Sequence, residues 1–473
     1  MNKSYFIQSF LIILLATLIF LGLKEVLPKR IFSEVSTNNA NMVIDSLLLE
    51  ALREEENLTS VQEQETDTVV AEIETKQETE GFKENHSHEY LTRFFEKLTA
   101  LEADKKGKIR IGYFGDSMTD GDYIVQDLRR FFQDEFGGKG VGFVSITSES
   151  AASRGSIKHS YSDNWKAQSY VNVKTPTRPF GVNGHVFFVT DSLNSTWVEY
   201  KASYQKNVSE IYNPTLFYGK SDNHNAYLEL FYNGDTTRVI KPLKAEKTLN
   251  TLRLSDQNLK SLKINFVHAD SIAFYGINSG DNFGVYVDNF SSRGNSGLPL
   301  SLLNPSFMNE FDKELGGYDL IILHYGTNVL NYGNLNYSWY EKAMTRVINH
   351  LRICFPNASF LIVSTADKST KYGMEMKTDS AVVPLVSTQQ RYAEKTRSGF
   401  VNLYLLMGGE GSMVKWVEEE PALGNKDYTH FNTKGSQKIA QFIFDELKKE
   451  YELFKQNKSV KTVMNSENTN NDQ

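Results

Sequence analysis

The sequence has 473 residues and only one cysteine, Cys354. A single cysteine excludes an intramolecular disulfide framework and a zinc site built from several thiolates. Cys354 lies in the helical stretch VINHLRICF, where core packing is favoured over the alternative of a reactive thiol. Hydrophobic residues make up 40% of the chain, so the fold is expected to depend on a hydrophobic core rather than on cross-links.

A strong net charge is also missing from most of the chain. The formal net charge is −7, whereas the stretch 54–84 alone has 11 Asp and Glu against 2 Lys. The remainder is therefore near neutral, which gives no reason to expect nucleic-acid binding. Because the acidic stretch has no aromatic residue before Phe82, residues 31–88 are predicted to form a largely disordered linker. The polar tail, 457–473, is predicted to be disordered as well.

Residues 4–23 lack charge altogether and form the apolar run SYFIQSFLIILLATLIFLGL. As a helix this run would measure about 30 Å, enough to cross a bilayer core. A membrane anchor within residues 1–30 is predicted, with a cleaved signal peptide as the alternative. The anchor is favoured because no clear small-residue cleavage site precedes Lys24. Basic residues are more numerous after the run than before it. Because the more basic flank of a membrane helix usually stays in the cytoplasm, this bias opposes export of the domain that follows. We still expect a single-pass anchor in the inner membrane and a catalytic domain in the periplasm.

Buried strands alternate with amphipathic helices in two parts of the chain, residues 89–158 and 289–456. The strand YDLIILHYG is continuously apolar, as is typical of a strand buried on both faces of a parallel sheet. Such a sheet carries helices on both faces and binds ligands at the carboxyl ends of its strands. The two parts are predicted to form one α/β domain.

Residues 159–288 have a different pattern, with short, aromatic-rich segments of alternating polarity. The dipeptide Asn233-Gly234 between two of them is a strong hairpin signal. This pattern predicts an all-β insert, a sandwich or a jelly roll. Its tryptophans, Trp165 and Trp197 among them, make the insert a candidate carbohydrate-binding platform. The alternative is that its aromatic residues form the core of the insert.

Ser117 directly follows the buried strand IRIGYFG, in the stretch FGDSMTDGD. A serine at this position either caps the next helix or is exposed at the strand end for chemistry. A phosphatase-type Asp-x-Asp pattern is absent because position 118 is Met. The stretch alone leaves both alternatives open.

Three later segments carry groups that could act together with Ser117. Asp427 and His430 stand at i and i+3 before the last helix, where the carboxylate could orient the imidazole for proton transfer from a serine. Asn328, in HYGTN, carries an amide of the type that stabilises an oxyanion. The glycine-rich stretch SSRGNSG could supply a backbone donor. The ordinary alternatives are a surface Asp–His pair, a turn asparagine and a flexible domain junction.

The order of these four segments resembles the four blocks of the SGNH (GDSL) hydrolase superfamily, over about residues 108–145 and 285–450. The resemblance implies a nucleophile, Ser117, and a general base and acid, His430, which Asp427 orients. It also implies an oxyanion hole with three donors, which are the backbone N–H of Ser117, the backbone N–H of Gly297 and the side chain of Asn328. Gly294 and Gly155 are alternatives to Gly297.

The first and last blocks also resemble those of bacterial peptidoglycan O-acetylesterases and their relatives, in which a β-rich insert separates the serine block from the glycine block. Met118, the residue after the serine, departs from the pattern of those relatives, which often carry His at this position. The difference affects the expected substrate more than the expected reaction type. The fold class expected is a flavodoxin-like, three-layer α/β hydrolase domain with a parallel sheet, interrupted by an all-β insert and preceded by an N-terminal transmembrane helix.

The function that this resemblance implies is a serine esterase. It would remove O-acetyl groups from a cell-wall or other extracytoplasmic polysaccharide through an acyl-enzyme, without a metal or an organic cofactor. One alternative is an O-acetyltransferase that acts on the same class of glycan. The other is a non-catalytic glycan-binding or scaffold protein with a degenerate hydrolase domain. The partners expected are the O-acetylated polysaccharide and, through the N-terminal helix, the membrane.

Overall fold

The computed structural model describes residues 46–53, 87–190, 195–330 and 335–471, with side chains of the last helix described as far as Lys458. Residues 46–53 are helical. The strands, in chain order, are β1 (Lys108–Gly115), β2 (Gly142–Ser145), β3 (Ile157–Tyr161), β4 (Trp165–Ser169), β5 (His185–Val189), β6 (Thr196–Ala202), β7 (Thr215–Gly219), β8 (Tyr227–Tyr232), β9 (Val239–Pro242), β10 (Leu249–Arg253), β11 (Ser261–Val267), β12 (Phe274–Ser279), β13 (Gly284–Asn289), β14 (Leu320–His324), β15 (Ser359–Val363), β16 (Ser369–Tyr372), β17 (Glu375–Thr378) and β18 (Gly399–Val401). The helices are α1 (Ser87–Tyr90), α2 (Thr92–Asp104), α3 (Val125–Phe136), α4 (Pro305–Leu315), α5 (Ser338–Cys354), α6 (Val382–Lys395), α7 (Leu403–Met407), α8 (Ser412–Glu418) and α9 (Thr433–Asn471).

A parallel sheet with the strand order β13-β1-β14-β15-β18 forms the centre of the fold. Its middle strands β14 and β15 are buried along their whole length, which explains their continuously apolar sequences. Successive residues of a strand face opposite sides. Tyr113 therefore lies in a core shared with α2, α3 and α9, whereas Phe114 lies in a core shared with α4, α5 and α6.

Two antiparallel sheets make up the β-rich segment. One has the order β10-β7-β12-β5-β4, with β2 paired to β12, and the other has the order β3-β6-β11-β8-β9. Their facing sides share a hydrophobic core, as in a β-sandwich. The first sheet also packs on α4, where the Phe217 ring lies 5.7 Å from Phe311 and the Tyr275 ring lies 5.3 Å from Phe307. These contacts hold the β-rich segment against the α/β part.

The fold class predicted from the sequence is wrong as stated. Over the described residues the structure is mixed α/β, with one parallel sheet and three antiparallel sheets, one of them the hairpin β16–β17. Across the described ranges no helix is both long and apolar enough to cross a membrane. The transmembrane helix is therefore not supported, and the run 4–23 on which it was predicted lies outside the described residues.

Two strands explain why the sheets differ from the predicted arrangement. β13 has the sequence GVYVDN, which resembles the aromatic-rich segments before it, but it pairs in parallel with β1 in the central sheet. β2 follows α3 of the α/β part, yet it pairs antiparallel with β12 of the β-rich segment. Both assignments depend on pairing partners more than 100 residues away in the chain, which short-range periodicity does not specify. The division of the chain into domains stays a prediction.

A buried polar cluster connects the central sheet to the first antiparallel sheet. The Arg110 guanidinium donates to Asp288 Oδ2 at 2.6 Å and to Asn278 Oδ1 at 2.9 Å. Asp288 also accepts hydrogen bonds from Phe143 N at 2.8 Å and from the Tyr318 hydroxyl at 2.7 Å. Since every carboxylate oxygen of Asp288 has a partner, the ion pair is satisfied although it is buried.

Replacement of Arg110 by alanine is expected to lower the free energy of unfolding by about 3–5 kcal/mol, because Asp288 would remain buried without its cation. Urea denaturation followed by circular dichroism measures this loss. The matched control is Arg238→Ala, whose pair with Glu229 is 2.7 Å long but whose side chain is 60% exposed. Its expected loss is at most about 1 kcal/mol, and equal losses for the two variants would contradict the role given to the cluster.

Candidate active site

Ser117 lies at the carboxyl end of β1, in a turn that its neighbours fix. The Gly115 position has no room for a side chain, since a Cβ there would lie 2.2 Å from Thr119 Oγ1. The Asp116 carboxylate accepts a hydrogen bond from Met118 N at 2.9 Å, and its carbonyl accepts from Asp120 N at 3.1 Å. The following helix begins at Val125 with Ile124 at its N-cap. Ser117 is therefore not the cap of that helix, and its half-buried hydroxyl is presented at the strand end.

His430 lies directly beside Ser117, with Nε2 3.0 Å from the Ser117 hydroxyl oxygen. Its Nδ1 is 2.8 Å from Asp427 Oδ2. An ionised carboxylate can only accept hydrogen bonds, so Nδ1 carries the proton and Nε2 is left to accept one from the serine. The side chains of His430 and Asp427 are 39% and 51% exposed, which leaves them accessible to a ligand. The three residues thus form one hydrogen-bonded chain.

The loop before α9 fixes the Asp427–His430 geometry. Asp427 Oδ1 accepts hydrogen bonds from Thr429 N at 3.0 Å and from His430 N at 2.9 Å, which closes the turn and leaves Oδ2 for the imidazole. Tyr428, at the centre of the turn, has a φ of 53°. Its carbonyl accepts a hydrogen bond from Ser369 N at 3.0 Å, and so the hairpin β16–β17 supports the turn from outside. The sequence analysis did not predict this hairpin.

The charges around His430 favour its protonated form. The hydrogen bond with Asp427 raises the pKa of His430 above its usual 6.5, burial lowers it, and the nearby Asp116 carboxylate raises it further. Burial alone would raise the pKa of Asp427, but hydrogen bonds from His430 and Thr429 outweigh burial and lower it. Burial raises the pKa of Asp116 to about 6. The imidazolium that forms during proton transfer is therefore stabilised by two carboxylates.

The donors predicted for the oxyanion hole differ in whether their N–H groups already have hydrogen-bond acceptors. Asn328 is buried, and its Nδ2 donates to Asn295 O at 3.0 Å and, more weakly, towards Asp116 Oδ2 at 3.4 Å. Within the described part of the chain, no acceptor lies within hydrogen-bond distance of the Ser117 N–H. The Ser117 N–H is therefore available to a ligand oxygen. Both hydrogens of the Asn328 amide already have acceptors, and the one directed at Asp116 makes only a long contact of 3.4 Å that a ligand oxygen could replace.

Gly297, which the resemblance assigns to the oxyanion hole, has a backbone N–H that is not free, and its role stays a prediction. Its N–H is already donated to Asn295 Oδ1 at 2.8 Å. A Cβ on Gly297 would lie 3.0 Å from Tyr325 and 3.2 Å from Met344, and its φ is +92°, so glycine is needed there for packing. The alternative, Gly294, is partly exposed and has no acceptor for its N–H among the described residues. Of the two glycines, Gly294 is therefore the one whose N–H is available to a ligand oxygen.

Asn295 is a site residue that the sequence analysis did not single out. It is fully buried, and its carbonyl holds Asn328 while its side-chain oxygen holds Gly297. Its Nδ2 donates to the hydroxyl of Tyr170, in the β-rich segment, at 3.1 Å. An asparagine two residues before a glycine is a turn signal, which accounts for the contact with Gly297. Asn328 and Tyr170 are distant from Asn295 in sequence, so these contacts could not be predicted.

Met118 and Trp165 have packing partners inside the protein. Met118 is only 5% exposed and belongs to the core formed with α2, α3 and α9, so its side chain does not face the ligand side. Trp165 packs edge-on against Phe266 at 4.9 Å and donates its Nε1 proton to Trp197 O at 3.2 Å. This packing favours a core role for Trp165 over an open carbohydrate platform.

Gly155, the other alternative to Gly297 in the oxyanion hole, is exposed. It follows the 3₁₀ turn Ala151–Ser153 and lies beside the Gln126 side chain. Within the described residues no group of three or more His, Cys, Asp or Glu side chains is arranged to hold a metal ion.

A comparison with solved structures shows which known proteins share this architecture. A peptidoglycan O-acetylesterase superposes with a TM-score of 0.61 and 21% sequence identity, over 76% of this chain and 96% of that chain. The two proteins share a fold. The resemblance seen in the sequence blocks is confirmed at the level of the fold.

Weaker matches include family two carbohydrate esterases. The one from Cellvibrio japonicus has a TM-score of 0.26 and 10% identity, over 63% of this chain and 98% of that chain. A carbohydrate esterase family 2 enzyme from Corynascus thermopiles has a TM-score of 0.28 and 10% identity, over 62% and 99%. These scores are too low to support an argument. No protein-family model matches the sequence, and no curated protein matches it either.

Proposed function

We propose that this protein is a serine esterase that removes O-acetyl groups from a polysaccharide, with O-acetylated peptidoglycan as the substrate class. The main support is the hydrogen-bonded chain from Ser117 through His430 to Asp427, with distances of 3.0 and 2.8 Å, at the carboxyl end of a parallel strand. The fold shared with a peptidoglycan O-acetylesterase supports the substrate class. Such a substrate implies action outside the cytoplasm.

The reaction follows from the geometry of the three side chains. As the Ser117 oxygen attacks the ester carbonyl carbon, its proton passes to His430 Nε2, which is 3.0 Å away. The carbonyl oxygen becomes an oxyanion, to which the N–H groups of Ser117 and Gly294 and the amide of Asn328 donate. When the tetrahedral intermediate collapses, the bond to the sugar oxygen breaks and His430 gives its proton to that oxygen.

The second half of the reaction regenerates the enzyme. The acetyl group is now an ester of Ser117, and His430 is neutral again, so it can take a proton from a water molecule that attacks the acetyl carbon. Collapse of the second intermediate releases acetate and returns the proton to the serine oxygen. Asp427 stays ionised throughout, because its lowered pKa keeps the carboxylate available to the imidazolium.

Acetate release from O-acetylated peptidoglycan tests this proposal. The wild-type chain is expected to release free acetate and to leave a deacetylated glycan. Acetate release from base-treated peptidoglycan, which has lost its O-acetyl groups, serves as the blank. Transfer of the acetyl group to an added acceptor without free acetate would overturn the esterase proposal in favour of acetyl transfer.

The pH profile of kcat/KM is expected to show an acid limb with its midpoint above pH 6.5. His430 must be neutral to take the serine proton, and the Asp427 hydrogen bond raises its pKa above that value, so activity rises as pH increases through this pKa. Asp116→Asn removes a charge that raises the pKa of His430, and it is expected to move the limb to lower pH. A limb that stays in place in that variant, or a wild-type midpoint below pH 6, would contradict the electrostatics described.

Replacement of Asn328 by alanine is expected to lower kcat by about 10²–10³-fold, with little change in KM, because an oxyanion donor acts mainly in the transition state. Hydrolysis of a soluble acetyl ester under saturating conditions measures the effect. The control is Asn309→Ala, which removes an amide on α4 that donates to Ile353 O and Cys354 O at 2.9 Å each, so it reports the effect of losing a hydrogen-bonded asparagine outside the site. A loss of kcat below about five-fold in a folded Asn328→Ala variant would remove Asn328 from the oxyanion hole.

A further inference from the structure

An exposed arginine stands at the rim of the candidate site with part of its guanidinium unpaired. Arg293 lies in the glycine-rich turn, one residue before Gly294. Its side chain is 60% exposed, and its Nε donates to Asp120 Oδ2 at 2.7 Å. Within the described part of the chain, neither Nη atom of Arg293 has an acceptor within hydrogen-bond distance. The outer edge of the guanidinium thus faces solvent.

Two segments of the site hold this side chain in place. Asp120 follows Ser117 by three residues, and its side chain, only 13% exposed, also accepts a hydrogen bond from Ser150 Oγ. Arg293 itself is adjacent to the favoured glycine donor, Gly294. The guanidinium is therefore fixed between the strand end that carries the serine and the turn that carries the glycine. The positive charge of Arg293 lowers the pKa of His430.

We propose that Arg293 forms an anion subsite that binds a carboxylate of the substrate next to the acetyl ester, on an acidic sugar or on a peptide attached to it. A guanidinium presents donors on two edges. Asp120 occupies the edge at Nε, and the outer pair of Nη atoms can bind a carboxylate through two parallel hydrogen bonds. This inference deepens the proposed function and rests on it for the position of the ester.

Two arginines that pair with Asp122, Arg154 and Arg129, cannot take this role. Arg154 is 90% buried, and Asp122 lies 3.5 Å from its Nη2. Asp122 is also held by Arg129 through two hydrogen bonds of 2.8 and 3.0 Å. Arg154 Nη2 is buried without a hydrogen-bond partner, so a substrate carboxylate cannot reach it. Arg293 differs from both, because its only carboxylate partner in the described residues contacts Nε and leaves the Nη edge open.

A binding experiment without turnover tests the subsite. The full chain with Ser117→Ala is titrated calorimetrically with a soluble peptidoglycan fragment that has free carboxylates, and with the same fragment after its carboxylates are converted to amides. Adding Arg293→Gln is expected to weaken binding of the acidic fragment by about ten-fold, the usual size of a charge-assisted contact. The loss for the amidated fragment is expected to stay below about two-fold. Arg293→Lys, which keeps the charge but not the paired donors, should give an intermediate loss.

The control variant is Arg238→Gln. Arg238 is 60% exposed and paired with a carboxylate of Glu229, which is 16% exposed, so it matches the Arg293–Asp120 pair in exposure but lies on the β-rich segment beside β9. It should leave both affinities unchanged. Equal losses for the acidic and the amidated fragment on Arg293→Gln, or no loss for either, would overturn the subsite, as would a Ser117→Ala chain that binds neither fragment.

Failure of the subsite and failure of the proposed function give different results. If the wild-type chain releases no acetate but the Ser117→Ala chain prefers the acidic fragment through Arg293, the subsite stands and the esterase proposal is lost. If acetate is released but Arg293→Gln does not discriminate between the fragments, the esterase stands and the subsite is lost.

Discussion

Replacement of Ser117 by alanine is expected to lower the rate of acetate release by about 10⁴-fold or more. The loss should appear in kcat, because the hydroxyl is the group that attacks the ester and no other nucleophile is held beside His430 Nε2 in the described residues. The removed side chain is small and half-buried, so the variant should remain folded and should still bind glycan. Steady-state hydrolysis of O-acetylated peptidoglycan and a thermal melt measure the two properties together.

The control for this variant is Ser160→Ala, which removes an exposed hydroxyl from β3. It should hydrolyse the substrate at the wild-type rate. A Ser117→Ala variant that keeps more than about one tenth of the activity would show that the serine is not the nucleophile. The strand-end turn would then serve only to shape the site.

Replacement of Asp427 by asparagine is expected to lower kcat by about 10³–10⁴-fold. The asparagine can keep its side-chain oxygen at the place of Oδ1, where Thr429 N and His430 N donate, so the turn should be preserved. Its NH₂ group would replace Oδ2, 2.8 Å from His430 Nδ1. That group donates rather than accepts, so the imidazole would carry its proton on Nε2 and could not take one from Ser117.

A matched control for this variant is Asp235→Asn. Asp235 Oδ1 accepts a hydrogen bond from Thr237 N at 3.1 Å, which is the same turn contact that Asp427 makes with Thr429. Asp235 has no histidine partner in the described residues and should tolerate the change without loss of activity. If Asp427→Asn keeps activity within about ten-fold of the wild type, the carboxylate is not needed to orient the base.

The position of Ser117 and the Asp427–His430 turn could be expected from the sequence, because both depend on short-range features. A buried apolar strand that ends in Gly-Asp-Ser defines a strand end, and an Asp–His spacing of three places two side chains on one turn. The distance between Ser117 and His430 could be anticipated only from the family order of the blocks.

The glycine donor could not be assigned from the sequence in the same way. Gly294 and Gly297 are three residues apart in one turn, and both have positive φ. Which N–H is left without an acceptor depends on the Asn295 side chain, and this in turn is held by Tyr170 from the β-rich segment. A contact across 125 residues of chain has no local signature.

The sheet assignment was wrong for a related reason. An apolar, aromatic-rich strand such as β13 has the same composition whether it pairs in a sandwich or in a parallel sheet, since both environments bury it. Its actual partner is β1, with Lys108 opposite Gly284. The hairpin β16–β17 was missed because its sequence, STKYGMEMKT, is largely polar and its strands are short. It nevertheless supports the turn that carries His430.

Acid-quench mass spectrometry tests the central claim most directly. The wild-type chain is mixed with O-acetylated peptidoglycan, quenched within the first turnovers and digested, and the peptide that contains Ser117 is analysed. The account predicts an acetyl group on Ser117 that disappears as free acetate accumulates and that is absent in Ser117→Ala. Acetate release with an unmodified Ser117 peptide, or with the acetyl group on another residue, would contradict it.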